Sequence, residues 1–310
     1  MSETGKETCQ LSGSGKWEQT IATSEEENVT QDLTQADRTE KLSEITTALL
    51  YQPDPSVPVP LRTKGNSFIT GFATDIGTVK NVNQDSCYIG TKTARDQKAC
   101  LMVMCDGVGG LSEGEIASRS VISVFEKWFN DQGSDNIFNN FAALKLKWAE
   151  MIREINQGLM DYGRRKQIQL GTTLTAALMY DGRYYAVHIG DSRFYIISDE
   201  VMQISEDQTV NGSHVLLQCI GVTPNPVPAY YTGEVIPDST VLLCSDGFVH
   251  KLEESEMLKN LSGRKCNSEK AIKEHLTELI KLDISRGEKD NITALLSRVQ
   301  TKKRMWEKLR

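Results

Sequence analysis

Three strongly apolar runs of this chain each finish on an aspartate: Leu101-Met-Val-Met-Cys-Asp106-Gly107, Ala186-Val-His-Ile-Gly-Asp191-Ser192 and Val241-Leu-Leu-Cys-Ser-Asp246-Gly247. Asp290-Asn291 precedes a further such run and Asp85-Ser86 opens another. A carboxylate at the tip of a buried strand is costly unless something positive neutralises it. A fold that gathers several such tips makes an all-oxygen pocket, the donor set of hard cations such as Mg²⁺ or Mn²⁺ rather than zinc. The glycines after Asp106 and Asp246 let a carbonyl or a substrate approach closely. Asp181-Gly182 carries the commoner meaning of that dipeptide, since it lies between two strand-like runs and is expected to be a hairpin turn.

Strand grammar fills the chain from Phe68 onward, with short runs of Val, Ile, Leu, Tyr and Thr bounded by Gly, Asp and Asn. Strands are expected over 68–73, 86–89, 99–105, 172–180, 183–189, 193–197, 232–236, 240–244 and 291–299. Two helices interrupt them. One buries Ala117, Val121, Val124 and Trp128, the other Phe141, Leu144, Trp148, Ile152, Ile155 and Leu159, because these recur every three or four residues. A third helix over 268–281 turns Ile272, Leu276 and Leu279 inward. That order describes an α+β domain rather than alternating β-α units.

Residues 1–66 read as a flexible acidic tail rich in Ser and Thr, ending in a linker with Pro53, Pro55, Pro58 and Pro60. Too few apolar side chains occur there to offset the entropy of ordering, although Leu42, Ile45, Leu49 and Leu50 have helical spacing. Residues 67–300 form the expected catalytic domain, and 301–310 a basic appendage. The longest uninterrupted apolar run falls far short of the roughly 20 residues that cross a bilayer, and the N-terminus lacks the pattern of a signal peptide, so a cytoplasmic location is expected. A formal charge of −7 argues against nucleic-acid binding. Seven cysteines without a C-x-x-C pair read as structural thiols, not as a disulfide framework or a zinc site. His188 and His250 lie near the acidic motifs, and the strand position of His188 reads as structural.

Taken in order, Thr74-Asp-Ile-Gly77, Val79-Lys-Asn-Val-Asn-Gln-Asp-Ser86, Cys105-Asp-Gly-Val-Gly-Gly110, Gly171-Thr-Thr173, His188-Ile-Gly-Asp-Ser-Arg193, Cys244-Ser-Asp-Gly247 and Asp290-Asn-Ile-Thr293 resemble the motifs of metal-dependent serine/threonine protein phosphatases of type 2C, in their compact bacterial form. The resemblance implies a central antiparallel β-sandwich flanked by helices on both sides. It implies that Asp106 bridges two Mn²⁺ or Mg²⁺ ions, that Gly107 lends a carbonyl to one, and that Asp246 and Asp290 complete the other. Asp191 matches an acid at a third, weaker metal position, and Asp85 a carboxylate that holds metal-bound water. The implied reaction is direct attack of a metal-activated water on phosphoserine or phosphothreonine. Phosphorylated proteins, products of a serine/threonine kinase, are the expected partners of a monomeric enzyme.

Departures from the family pattern are Lys80 where an arginine binds phosphate, Gln84 where an acid is frequent, and Val108 where eukaryotic relatives carry a histidine. The alternative reading is a catalytically weak or dead adaptor that binds phosphoproteins or a kinase. Such a protein would be expected to lose metal carboxylates, and Asp106, Asp191, Asp246 and Asp290 are all in the sequence.

Overall fold

The computed structural model describes residues 66–301 apart from 96, 132–134 and 211–212, together with the backbone of two short N-terminal strands. Those strands, β1 (Thr8–Leu11) and β2 (Trp17–Thr20), pair antiparallel with each other. The expected helix around Leu42–Leu50, the proline linker and the basic appendage lie outside the described residues.

Two five-stranded antiparallel sheets make up the body. One is ordered β10-β7-β6-β5-β4, from β4 (Ser86–Ala94), β5 (Gln97–Cys105), β6 (Leu174–Tyr180), β7 (Arg183–Ile189) and β10 (Ala229–Glu234). The other is ordered β3-β12-β11-β8-β9, from β3 (Asn66–Asp75), β8 (Arg193–Ile197), β9 (Val201–Gln203), β11 (Thr240–Cys244) and β12 (Ile292–Thr301). Every residue of β6 and of β11 is buried, because each strand is covered on both faces. Alternation divides the work. Leu101, Val103 and Cys105 of β5 face helices α1 (Gly114–Asp131) and α2 (Phe141–Lys166), whereas Cys100, Met102 and Met104 face the opposite sheet. In the second sheet, Leu242, Cys244, Ala294 and Leu296 face α3 (Glu254–Leu261) and α4 (Glu269–Ser285), while Val241, Leu243 and Leu295 join the inter-sheet core. Helix α4 approaches β3 so closely that a Cβ on Gly71 would sit 2.7 Å from Ile272.

Local chemistry fixes the joints. Asp181 and Gly182 both have positive φ, 48° and 77°, and close the β6–β7 hairpin as the sequence suggested. Asn140 caps α2 by accepting the Ala143 N–H, and Ser268 caps α4 by accepting that of Ala271. A reciprocal capping box of Glu253 and Glu256 starts α3.

Several sequence expectations need correction. Val124 is exposed: at 3.6 residues per turn the buried face of α1 runs through Val121, Ile122, Phe125, Trp128 and Phe129. Thr172 and Thr173 precede β6 rather than belonging to it, because they bond the Asp106 backbone. The strand expected over 232–236 lies earlier, at β10, in register with β7. Strand β9 and helix α3 were not anticipated. Cys100, Cys105, Cys219 and Cys244 are free and buried, as expected of structural thiols.

Candidate metal centre

Strand direction assembles the acids. Asp85 immediately precedes β4 and Asp106 follows β5, and these neighbours pair with Ser86 opposite Cys105. Asp246 lies just beyond β11, and Asp290 two residues before β12, whose Ala294 pairs with Cys244. Asp191 sits in the turn that carries the chain from β7 in the first sheet to β8 in the second. The carboxylates therefore converge at one edge of the sandwich, with contributions from both sheets.

Electrostatics records the convergence. Burial pushes the Asp106 carboxyl well above its usual range, and the charges of Asp85, Asp246, Asp191 and Asp290 all push the same way. Asp106 is the hub of the group. Asp191 is likewise pushed well up, by burial and then by Asp246 and Asp207. Asp85, 9% exposed, is pushed up to about 7, first by burial. The Thr293 and Ser245 hydroxyls pull it down, and Asp246 and Asp290 push it further up. Neither Asp85 oxygen meets hydrogen-bond geometry with any partner. Asp246 differs: burial acts to raise it, but the hydrogen bond and charge of His250 outweigh that and hold it below its usual range.

The backbone beneath is tightly pinned. Thr173 Oγ1 accepts the Asp106 N–H at 2.9 Å, the Thr172 hydroxyl donates to the Asp106 carbonyl at 2.8 Å, and Thr173 Oγ1 pairs with the Ser192 hydroxyl at 2.7 Å. Gly107 donates its N–H to the Gln84 carbonyl, and a Cβ there would lie 2.7 Å from the Gly114 carbonyl group. The Gly107 identity is thus a requirement of close backbone approach. Asn291 ties the loops together. Its side chain accepts the Gln84 N–H and donates to the Ile76 and Val82 carbonyls. Gly77, at φ +77°, passes so near Asp290 that an added Cβ would sit 2.1 Å from its carbonyl oxygen.

Two cationic side chains enter the group. Lys80 Nζ lies 3.1 Å from Asp290 Oδ1 and close above Gly109. His250 Nε2 lies 3.3 Å from Asp246 Oδ2, and its Nδ1 lies 3.2 Å from Glu288 Oε2. These contacts, that with Asp246 first, push the imidazole up to about 9. His188, in contrast, is fully buried, bonds Thr175 and the Glu206 carbonyl, and is pushed down to about 4 by burial, which suits a structural histidine.

All the residues expected from the sequence, Asp85, Lys80, Asp106, Gly107, Asp191, Asp246 and Asp290, therefore belong to this edge. Sequence reasoning assigned no role to His250, His214 or Glu288. The spacing of His250 four residues after Asp246 was the available signal. Repelling carboxylates gathered around Asp106, with two buried Asp85 oxygens outside hydrogen-bond geometry, fit a divalent cation site of hard oxygen donors.

Comparison with known proteins supports the same conclusion. Residues 78–282 match the family described as protein phosphatase 2C. The chain is 27% identical over 247 residues to the serine/threonine phosphatase stp of Listeria innocua, covering 73% of this chain and 93% of that protein. It is 30% identical over 246 residues to the serine/threonine protein phosphatase PstP of Mycobacterium tuberculosis, covering 73% of this chain and 44% of that one. The crystal structure of the Mycobacterium tuberculosis serine/threonine phosphatase PstP/Ppp superposes with a TM-score of 0.61 at 26% identity, covering 75% of this chain and 99% of that one. A two-sheet sandwich with helices on both faces, an edge of gathered aspartates and a family match over two thirds of the sequence identify this chain as a member of the protein phosphatase 2C family, a bacterial-type serine/threonine protein phosphatase.

Proposed function

We propose that the chain hydrolyses phosphoserine and phosphothreonine monoesters in proteins at a binuclear Mg²⁺ or Mn²⁺ centre held by Asp106, Gly107, Asp246 and Asp290. A third, weaker ion would lie at Asp191. The observation that carries this reading is the placement of five carboxylates, those of Asp85, Asp106, Asp191, Asp246 and Asp290, at one edge of the sandwich by the ends of both sheets, a crowding that bound cations relieve. Bound there, divalent cations acidify water and offset charge on the transferring phosphoryl group. The protein's own side chains do the rest. Asp85, with neither oxygen in hydrogen-bond geometry with the protein, orients the attacking water and takes up its proton. Lys80 exchanges Asp290 for a phosphate oxygen once that carboxylate is otherwise neutralised, and serves as a point charge rather than a fork. The pinned Asp106 backbone keeps the central carboxylate from moving during the reaction.

The adaptor reading required lost carboxylates, and none is lost. The test is hydrolysis of para-nitrophenyl phosphate and of a phosphothreonine peptide by metal-stripped protein, with and without Mn²⁺ or Mg²⁺. Addition of metal should raise the rate at least about 100-fold, the scale on which one electrostatic group matters in catalysis. Asp106→Ala should fold and remain inactive at any metal concentration. Full activity in excess chelator, or a near-normal rate in Asp106→Ala, would overturn the proposal.

A further inference from the structure

Beside the oxygen pocket lies a group of different chemistry. One donor atom each from His214, Asp246 and His250 falls within 4.8 Å of the others. The two rings meet edge to face, with centroids 5.2 Å apart. His250 Nε2 and Asp246 Oδ2 are 3.3 Å apart, a contact bridged by the imidazolium proton in the metal-free protein; an ion that displaces that proton finds the two atoms at the separation of ligands on a tetrahedral centre bound at about 2.0–2.2 Å. His214 is exposed, so it has room to close the remaining gap. A second observation concerns the far side of the His250 ring. Its Nδ1 is held at 3.2 Å by Glu288 Oε2, on a side chain only 7% exposed. Glu288 is itself fixed by accepting the Lys289 and Asp290 N–H groups at Oε1. A buried carboxylate behind an imidazole is the arrangement that orients a metal-ligating histidine and selects its free nitrogen.

We infer that His214, His250 and Asp246 form a site for a borderline transition-metal ion such as Zn²⁺, separate in chemistry from the all-oxygen pocket. Two imidazoles and one carboxylate, with a fourth position left to water, suit Zn²⁺ or Co²⁺ and not Mg²⁺. The site stands on its own geometry. Its consequence rests on the proposed role of Asp246: an ion there competes for a carboxylate that the phosphatase centre needs, so occupancy restrains turnover.

Co²⁺ titration of the metal-stripped full-length protein tests the site, because nitrogen-bound, four-coordinate Co²⁺ absorbs visible light far more strongly than the six-coordinate ion in an oxygen cage. Wild type should develop that absorption, and zinc should bleach it. His214→Ala, at an exposed position that does not threaten folding, should weaken the absorbing site by at least about 10-fold, the low end of the loss seen even for orienting partners. His250→Ala should abolish the absorption. An unchanged spectrum and affinity in His214→Ala overturns the inference. Mn²⁺-supported hydrolysis by the same proteins reads the phosphatase centre separately. His214→Ala should hydrolyse at a rate close to wild type and lose inhibition by zinc. Equal zinc inhibition in both proteins would place the ion in the oxygen pocket and overturn the restraining role. Absence of hydrolysis in both, with the Co²⁺ absorption intact, would instead sink the proposed function and leave the site standing.

Discussion

Asp85→Asn should stabilise the metal-free protein while removing its activity. The Asp85 carboxyl is buried with neither oxygen in hydrogen-bond geometry, and burial, outweighing the nearby Thr293 and Ser245 hydroxyls, raises it from 3.8 to about 7. An acid whose folded pKa exceeds its unfolded one costs stability wherever it is ionised. The penalty is absent below about pH 4, grows as pH rises, and is complete above about pH 7. The interval from 3.8 to about 7, at about 1.4 kcal/mol per pH unit, sets that penalty at roughly 4 kcal/mol. Asparagine has nearly the same shape and no charge at any pH. Variant and wild type should therefore unfold alike at pH 4 and diverge by up to roughly 4 kcal/mol at pH 8, about 10 °C in Tm for a domain of this size. Comparison at a single pH matters because His188 runs the other way. Its folded pKa is depressed to about 4, so its contribution is present above the unfolded value of 6.5 and is lost as pH falls through 4. Urea unfolding in chelator at both pH values is the assay. A variant no more stable than wild type at pH 8, or equally stabilised at pH 4, refutes the reasoning. Adding Mn²⁺ should favour wild type, which gains the binding free energy of the ions.

Lys80→Ala should raise KM more than it lowers kcat, because a single ammonium contributes mainly ground-state phosphate binding, and Lys80→Arg should keep or improve affinity; steady-state kinetics on a phosphopeptide decides, and unchanged KM in both variants moves phosphate recognition elsewhere. Gly77→Ala should destabilise by more than about 2 kcal/mol, since a side chain at φ +77° is strained and its Cβ would overlap the Asp290 carbonyl. Metal affinity should fall along with Tm in that variant, and a normal Tm would show that the loop gives way without cost.

Much of the centre was legible because an acid at the end of an apolar strand is a local anomaly, visible without knowing the partner strand. Asp106, Asp191 and Asp246 announce themselves in this way, and the Asp181-Gly182 hairpin was readable because its two residues accept positive φ. What escaped depends on distant pairing. Helix α3 buries only Met257 and Leu261, too few for a period to register, and β9 is three residues long. Val124 fits an i, i+3 spacing with Val121, yet the flanking Ile122 and Phe125 draw the buried face away from it. The spacing of His250 from Asp246 is local, but the Glu288 carboxylate that holds the other side of its ring lies 38 positions later. Thr173 and Ser192 stand in two of the quoted motifs, but nothing local in the sequence says that their hydroxyls pair.

Because the acids come from both sheets, their spacing is gauged by side chains that never reach them. Met104 stands two residues before Asp106, Leu243 three before Asp246, and Leu295 five after Asp290, all in the layer between the sheets. That layer works as a caliper, its jaws being the strand ends that carry the carboxylates. A methyl group removed or added there shifts one jaw against the other by a fraction of an ångström, because packed interiors transmit such changes rather than absorbing them. Substitutions deep in the greasy middle of this protein are therefore changes to the spacing of its carboxylates, made without touching one of them.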